Sequence, residues 1–538
     1  MKVLFSKNDM IPHSKRQIGL SALFSVLLSL TIVVCHKFIS DGTVFAQNSY
    51  DHAVMLYQLL MTIPILYFIL LFVSDLTLEK DYIRSGFTVP WFHFSTKRRT
   101  IINSVIIFLI LLPAFLALFP GYQSYDGPYA AGPYLTNGVL SSYQPVLHTL
   151  LISYCYKLGY LICNNCEAGV LIYVIIQEVA VIAILNIAIN KMIEWKTPDF
   201  VICYLFLMLL LNPIVQIFIF ATTKDTFFGI FLLLWLVCLI DNYIRKEASV
   251  IPAIISAILM CFFRKQGVYI LVFTLPLYVM LVWKKRNQAL RPLLTLIVPA
   301  IFYLLISGPV FVYLGVDEDP VAEKLSVPIQ QIARVVSEEG DLLSSEELEE
   351  IKKFIPEENL QSYIPEISDP VKAGFNNDYY KNHRSEFWRL WFRLFINHKG
   401  TYLDSLLYGI VGYFYPKSEA TNAWGYLCDY TLLLNMEYRI HPILKGYYAY
   451  LMSAGKTMFN NLPILSDLIS IGMPVWALAL TVFLALIKKK KAIWIVIFSA
   501  ALYFSTLLLG PVCCIRYVIP LYFTIPLQGA VLFSQELD

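Results

Sequence analysis

The stretch TIINSVIIFLILLPAFLALF, Thr100 to Phe119, decides the class of this protein. It contains no charged side chain, and a helix of about 20 apolar residues crosses a hydrocarbon core of about 30 Å. Lys97, Arg98 and Arg99 stand just before it and Pro120 and Gly121 just after, a charged boundary at one end and a turn at the other. Outward from this run the pattern repeats. Comparable apolar runs lie at 17–39, 53–74, 168–190, 199–219, 222–243, 249–263, 267–283, 292–314, 468–487, 492–510 and 516–534. The expected fold is therefore an all-α polytopic membrane protein with about twelve transmembrane helices. The run at 17–39 follows Lys15 and Arg16 as a signal sequence would, but it is too long for one and lacks a small-residue cleavage site, so it reads as a retained anchor. The run at 249–263 is the shortest and implies tilt or local thinning of the bilayer.

Composition agrees. Hydrophobic residues make up 58% of the chain and charged residues 15%, with mean hydropathy +0.64, whereas soluble domains carry about 25% charged residues. The net charge of +3 implies no nucleic-acid partner, and ten scattered cysteines imply no dense disulfide framework. Three parts follow: a transmembrane core over 1–315 that includes a first extracytoplasmic loop at 120–167, a large extracytoplasmic segment over 316–467, and C-terminal transmembrane helices over 468–538.

Basic residues gather in alternate connections. They are Lys2, Lys7, Lys15 and Arg16; Lys80, Arg84 and Lys97 to Arg99; Lys191 and Lys196; Arg245 and Lys246; Lys284 to Arg286; and Lys488 to Lys491. The positive-inside rule places these, and both termini, in the cytoplasm of a cell whose plasma membrane holds the chain.

On the other face, the loop after Phe119 is rich in Gly, Pro, Ser and Tyr, and Asp126 is its only acid between Pro120 and Cys166. Two readings of Asp126 are open: a general base among Tyr122, Tyr125 and Tyr129, or a turn aspartate bonding its own backbone before Gly127. From Val146 to Ile162 the loop becomes apolar, with Leu147, Leu150, Leu151, Tyr154 and Leu158 at helical spacing, which predicts a helix lying in the interface. Asp317, Glu318 and Asp319 open the large segment, either as oxygen ligands for a divalent metal or as a solvated loop start. SVPIQQIARVV (326–336) predicts a helix with Ser326 at its N-cap and Ile329, Ile332, Ala333 and Val336 on one face. SSEELEEIKKF (344–354) carries a capping box from Ser344 to Glu347, with Leu348, Ile351 and Ile355 as its buried stripe. In SEFWRLWFRLF (385–395), Phe387, Trp388, Trp391 and Phe395 interleave with Arg389 and Arg393 behind Arg384, a pattern suited to a membrane interface. The segment thus reads as a mostly helical cap leaning on the bilayer.

Cations also stand where the positive-inside rule does not expect them. Lys224 and Asp225 lie between the fifth and sixth runs, Arg264 and Lys265 between the seventh and eighth, and Arg516 before the last. A cation drawn to mid-bilayer costs about 2.5–3.5 kcal/mol, so these side chains either snorkel to headgroups or share a pocket for an anion. Gln177 and Glu178, mid-run, line a cavity or bond a neighbouring helix. Cys163 and Cys166 have redox-motif spacing without the βαβ context such chemistry uses, and read as incidental thiols or a local disulfide. Cys513 and Cys514 carry no assignment.

Taken in order, YDGPY (125–129), SSYQPVLHTLL (141–151), TTKD (222–225), FRKQG (263–267), SVPIQQIARVV, LYGIVGYFYP (407–416) and RYVIP (516–520) resemble the GT-C class of polyprenyl-phosphate-dependent glycosyltransferases. More narrowly they resemble bacterial membrane families related to the protein O-mannosyltransferases. The resemblance implies a polyprenyl-phosphate-linked sugar donor, a glycan or protein acceptor, and Asp126 as the catalytic base. It implies donor-phosphate contacts from Lys224, Arg264, Lys265 and Arg516, with Tyr125, Gln144, His148, Asp225 and Tyr517 around the substrate. Gln144 stands where relatives carry histidine, so a metal role there, and for His148, is left open. A polysaccharide polymerase of the cell envelope and a non-catalytic transporter or flippase of lipid-linked glycans are the alternatives.

Overall fold

Within lipid every backbone N–H and C=O must find its partner inside the chain, and the apolar runs meet that demand as helices. The computed structural model describes residues 13–78, 87–123, 126–245, 248–282, 290–416, 432–433 and 436–537. Among them the only strands are the two-residue pairs Leu432–Leu433 and Met436–Glu437. The bundle contains α1 (Lys15–Asp41), α2 (Ser49–Leu78), α3 (Thr96–Ala117), α4 (Asp126–Asn137), α5 (Val146–Cys163) and α6 (Cys166–Glu194). It continues with α7 (Asp199–Leu210), α8 (Pro213–Ile219), α9 (Lys224–Ile244), α10 (Ile251–Phe263), α11 (Gln266–Val282) and α12 (Leu290–Leu305), the last running through a π turn to Tyr313.

Eight described helices are long and apolar enough to cross a membrane: α1, α2, α3, α5, α6, α9, the extended α12 and the last helix, Ile515–Phe533. The run at 199–219, expected as one span, is broken. Asn212 accepts bonds from the Ile214 and Val215 amides at the start of α8, Pro213 fills the first turn, and α7 and α8 meet at 68°. Counting that bent pair as one brings the total to nine. Four further apolar helices stop at 10–17 residues: α10, α11, and the two before the last. Val146–Cys163, expected to lie in the interface, is long and apolar enough to cross.

That helix is docked onto α6 by two glycines. A Cβ on Gly159 would sit 2.2 Å from the Gly169 amide nitrogen, so only glycine permits this approach. The CysAsnAsnCys stretch is the turn between the two helices: Asn164 takes the left-handed conformation, and Asn165 caps α6 by accepting from the Ala168 amide. Both cysteines are free, Cys163 exposed and Cys166 buried.

Beyond α12 the chain builds a separate core from α13 (Ser326–Glu339), α14 (Ser345–Phe354), α15 (Arg384–Asn397) and α16 (Lys399–Phe414). Ile329, Ile332, Ala333, Ile351, Phe354, Phe387, Leu390 and Leu394 are buried together there. The expected capping box at Ser344 and Glu347 is present. Ser326 is instead the first helical residue, its hydroxyl donating to the Glu323 carbonyl at 3.4 Å. In α15 the aromatic row is divided. Phe387 faces the core and Trp391 donates to Gln331, while Trp388, Phe392, Phe395 and Ile396 remain exposed. Arg393 pairs with Glu347 and Glu350 rather than standing alone at a headgroup level.

The chain then returns to the bundle. α17 (Lys445–Thr457) packs against α3 and α8, and its Leu451 and Ala454 belong to the bundle core. α18 (Met473–Lys488), α19 (Ile493–Leu507) and α20 (Ile515–Phe533) complete it. α9 and α20 form the centre, mostly buried, whereas α2 is exposed along most of its length. The end of the bundle beneath α13–α16 is called the cap side below.

Candidate functional site

The site begins with the broken helix. The end of α8 leaves carbonyls without helical partners, and Gln177, buried in α6, supplies one: its side-chain amide donates to the carbonyls of Phe218, Ile219 and Ala221 at 3.1, 2.7 and 3.0 Å. The first loop supplies another, since Tyr122 donates its amide to Phe220 at 2.7 Å and accepts from Thr222 at 2.9 Å. Residues 220–223 are thereby held on the cap side, and they aim the start of α9.

Thr223 caps α9, its hydroxyl accepting from the Asp225 amide and donating to the Asp225 carboxylate at 2.8 Å. The Thr223 carbonyl accepts from the Tyr173 hydroxyl at 3.1 Å, and that hydroxyl lies 3.1 Å from His148. His148 is fully buried and supports the segment from behind. α4 is wedged against the same place: a Cβ on Gly127 would sit 2.6 Å from the Thr222 hydroxyl. Asp126, the first residue of α4, therefore has its backbone next to the Thr222–Asp225 segment. Its side chain and the whole of Tyr125 lie outside the described residues.

Four of the sequence-predicted cations gather here. Arg264 and Asp225 are both buried and pair at 2.8 Å. Arg264 also donates to the Tyr503 hydroxyl at 2.6 Å, and that hydroxyl donates to the Tyr517 carbonyl at 2.7 Å. The Tyr517 ring lies between two guanidinium groups, 5.0 Å from that of Arg264 and 4.9 Å from that of Arg516, each within cation–π range. Arg516 also donates to the Tyr517 hydroxyl at 3.1 Å. Lys224 reaches the Gln144 side-chain carbonyl, and Lys265 contacts Asp319.

Lys224, Arg264 and Lys265 share a cavity of about 610 Å³ with Lys324, Asp319 and Glu323. Part of its lining is apolar, Tyr269, Phe273, Leu502 and Leu509, and Tyr143, Pro145, Gln266, Ser505 and Thr506 complete it. Tyr269, Phe273 and Leu509 are exposed on the surface of the bundle. His148 and Arg516 do not line it. Burial, with Lys324 and Lys224 adding to it and Glu323 opposing, lowers the Lys265 ammonium to about 8.

Asp319, Tyr503 and Lys324 are additions to the predicted set. Asp319 was read either as a metal ligand or as part of a solvated loop start; its carboxylate accepts from Ser142 at 2.7 Å and contacts Lys265. Among the described residues, no group of three or more His, Cys, Asp and Glu side chains is placed to hold a metal. Glu178, expected to line a cavity or bond a neighbouring helix, is buried in α6 with its Oε1 unbonded.

No curated protein and no solved structure matches the chain. A family model described as a family of unknown function (DUF6020) matches residues 132–535, which takes in the cavity cations and leaves Asp126 outside. By that match over most of its length, the chain belongs to this family of unknown function.

Proposed function

We propose that this protein is a membrane glycosyltransferase of the GT-C kind, moving a sugar from a polyprenyl-phosphate-linked donor to an acceptor hydroxyl. The observation that carries the reading is the mixed lining of the cavity. Lys224, Arg264, Lys265 and Lys324 suit a lipid phosphate, and the apolar part, Tyr269, Phe273, Leu502 and Leu509, suits the chain attached to it. In this reading twelve segments cross the bacterial plasma membrane, the bent pair counted once, the four short helices included and α5 lying in the interface, and the cap side is extracytoplasmic. Lys191, Lys196, Arg245 and Lys488, at the other end of the bundle, support that orientation through the positive-inside rule.

The acceptor oxygen attacks the anomeric carbon as the bond to the phosphate oxygen breaks, so the configuration inverts. The lipid phosphate leaves with the electron pair, its growing charge met by Lys224 and Lys265. Asp126 takes the acceptor proton, a role supported by its place at the start of the helix wedged on Thr222. The divided helix α7–α8 favours a second reading, a transporter of lipid-linked glycan, because interrupted helices commonly frame transport sites. Vesicles reconstituted with the protein and a radiolabelled polyprenyl-phosphate sugar separate the two. Transfer to an added acceptor, lowered about a hundredfold or more in Asp126→Asn, is expected of a general base. Movement of label across the bilayer without transfer would establish the transporter, and unchanged transfer in the variant would remove Asp126 from the chemistry.

A further inference from the structure

The cap carries a row of apolar side chains that its own core does not use. Along α15, Phe387, Leu390 and Leu394 are buried in that core. Trp388, Phe392, Phe395 and Ile396, spaced along the other face of the helix, are exposed, and Leu403 in α16 is exposed as well. Three cations accompany the row. Arg384, Arg389 and Lys399 are exposed and form no ion pair with a described residue, unlike Arg393, which Glu347 and Glu350 hold. An exposed apolar row with charges at its rim marks an interaction surface.

The height of this row follows from α16. α1 and α2 are each long and apolar enough to cross the membrane, so the turn between them, residues 42–48, lies at the bilayer surface on the cap side. α16 meets that turn with its first residues and then runs down beside α1. A Cβ on Gly400 would lie 3.8 Å from the Phe45 ring, and one on Gly42 would lie 2.6 Å from the Tyr408 hydroxyl. Tyr408 packs edge-on against Phe38 at 4.6 Å, and Val411 and Tyr415 are buried with Phe38 and Cys35. As α16 advances from 400 to 415, its contacts step back from Phe45 to Cys35. Only His398 separates α15 from α16, so Phe395 and Ile396 stand near the level of the α1–α2 turn.

We infer that the exposed face of α15 docks on the bilayer surface at anionic lipid headgroups, with Trp388, Phe392, Phe395 and Ile396 entering the interface and Arg384, Arg389 and Lys399 meeting lipid phosphates. A second copy of the chain is the poorer occupant. A twofold contact would set the same unpaired cations of both copies against one another, whereas an anionic bilayer brings the opposite charge to them. The surface is separate from the cavity and from the chemistry proposed there.

The test uses the full-length protein in nanodiscs of phosphatidylcholine with increasing phosphatidylglycerol, with and without lipid brominated near the headgroup. The emission of Trp388 is the difference between wild type and Trp388→Phe. Brominated lipid is expected to quench that emission, and more completely as the anionic lipid rises. Arg389→Gln is expected to move the ratio of docked to undocked protein about fivefold toward the undocked form, the effect of one cation near an anionic surface. Phe392→Trp in the Trp388→Phe background supplies a second reporter on the same face. Emission that brominated lipid leaves unchanged for both reporters would overturn the inference. So would emission that changes only when a disc holds two copies, which would assign the row to a contact between copies. Quenching equal in neutral and anionic lipid would remove the cations from the surface and overturn its anionic partner.

Discussion

The two ends of α9 carry ion pairs of similar composition and opposite design. At the end away from the cap, Lys191 pairs with Asp241 at 2.8 Å and with Glu194 at 3.1 Å, while Arg245 pairs with Glu194 at 2.8 Å and approaches Asp241 at 3.6 Å. The Trp195 indole completes the cluster by donating to Asp241. Two cations and two acids close on one another. At the cap end Arg264 is locked to Asp225, but Lys224 and Lys265 line a large cavity, where Lys224 reaches a neutral amide and Lys265 a carboxylate on a loop. One end spends its charges on holding helices together; the other presents them.

Three measurements sharpen or break this contrast. The largest effect is expected from Asp225→Ala, which leaves the Arg264 guanidinium buried without its acid. Breaking a buried pair from one side costs about 3–5 kcal/mol, so the thermal unfolding midpoint in detergent should fall by many degrees. A midpoint within a degree of wild type would show that the pair is not the lock described. The second concerns Lys265. With its ammonium lowered to about 8, the side chain is charged below that pH and neutral above it. A phosphodiester keeps one negative charge throughout, so its affinity should fall between pH 7 and pH 9 by roughly tenfold, the worth of one charged hydrogen bond of about 1.5 kcal/mol. Lys265→Arg should abolish that dependence, and a flat profile in wild type would remove Lys265 from the site. The smallest effect is expected from Glu194→Ala at the closed end, where a half-exposed pair contributes about 0–1 kcal/mol. Anion affinity there should not change; a clear loss would join the two ends functionally and dissolve the contrast.

Which features were legible in the sequence follows from what each one needs. Lys224, Arg264 and Lys265 could be picked out because cations beside apolar runs require a reason to be there, and the fold brings all three to one cavity. Their partners could not. Asp319 lies far along the chain from Lys265 and announced itself only as part of an acidic triplet, which suggests metal as readily as a counter-ion. Arg516 was grouped with the others by charge, yet it does not line the cavity and meets the Tyr517 ring instead. The division of 199–219 was written in Asn212 and Pro213, a turn pair within an apolar run. Hydropathy averages over such a pair, so the run looked continuous. The short lengths of α10, α11, α18 and α19 were hidden for the same reason, since apolar composition says how greasy a stretch is and not where its helix stops. For Val146–Cys163 the helix itself was legible in its apolar spacing, but its docking was not, because the close approach of Gly159 to Gly169 is made between two helices.

The bond set made by Gln177 has a consequence for how the protein is made. A chain is synthesised from its N-terminus, so α6 is made before residues 213–225. The amide that will take the carbonyls of Phe218, Ile219 and Ala221 is thus waiting for them. A segment with open backbone groups enters lipid only if such a receiver exists. Gln177 is therefore expected to matter for assembly as well as for the folded state. Its loss would register first as protein that inserts, fails to mature and is degraded, before any question of catalysis arises.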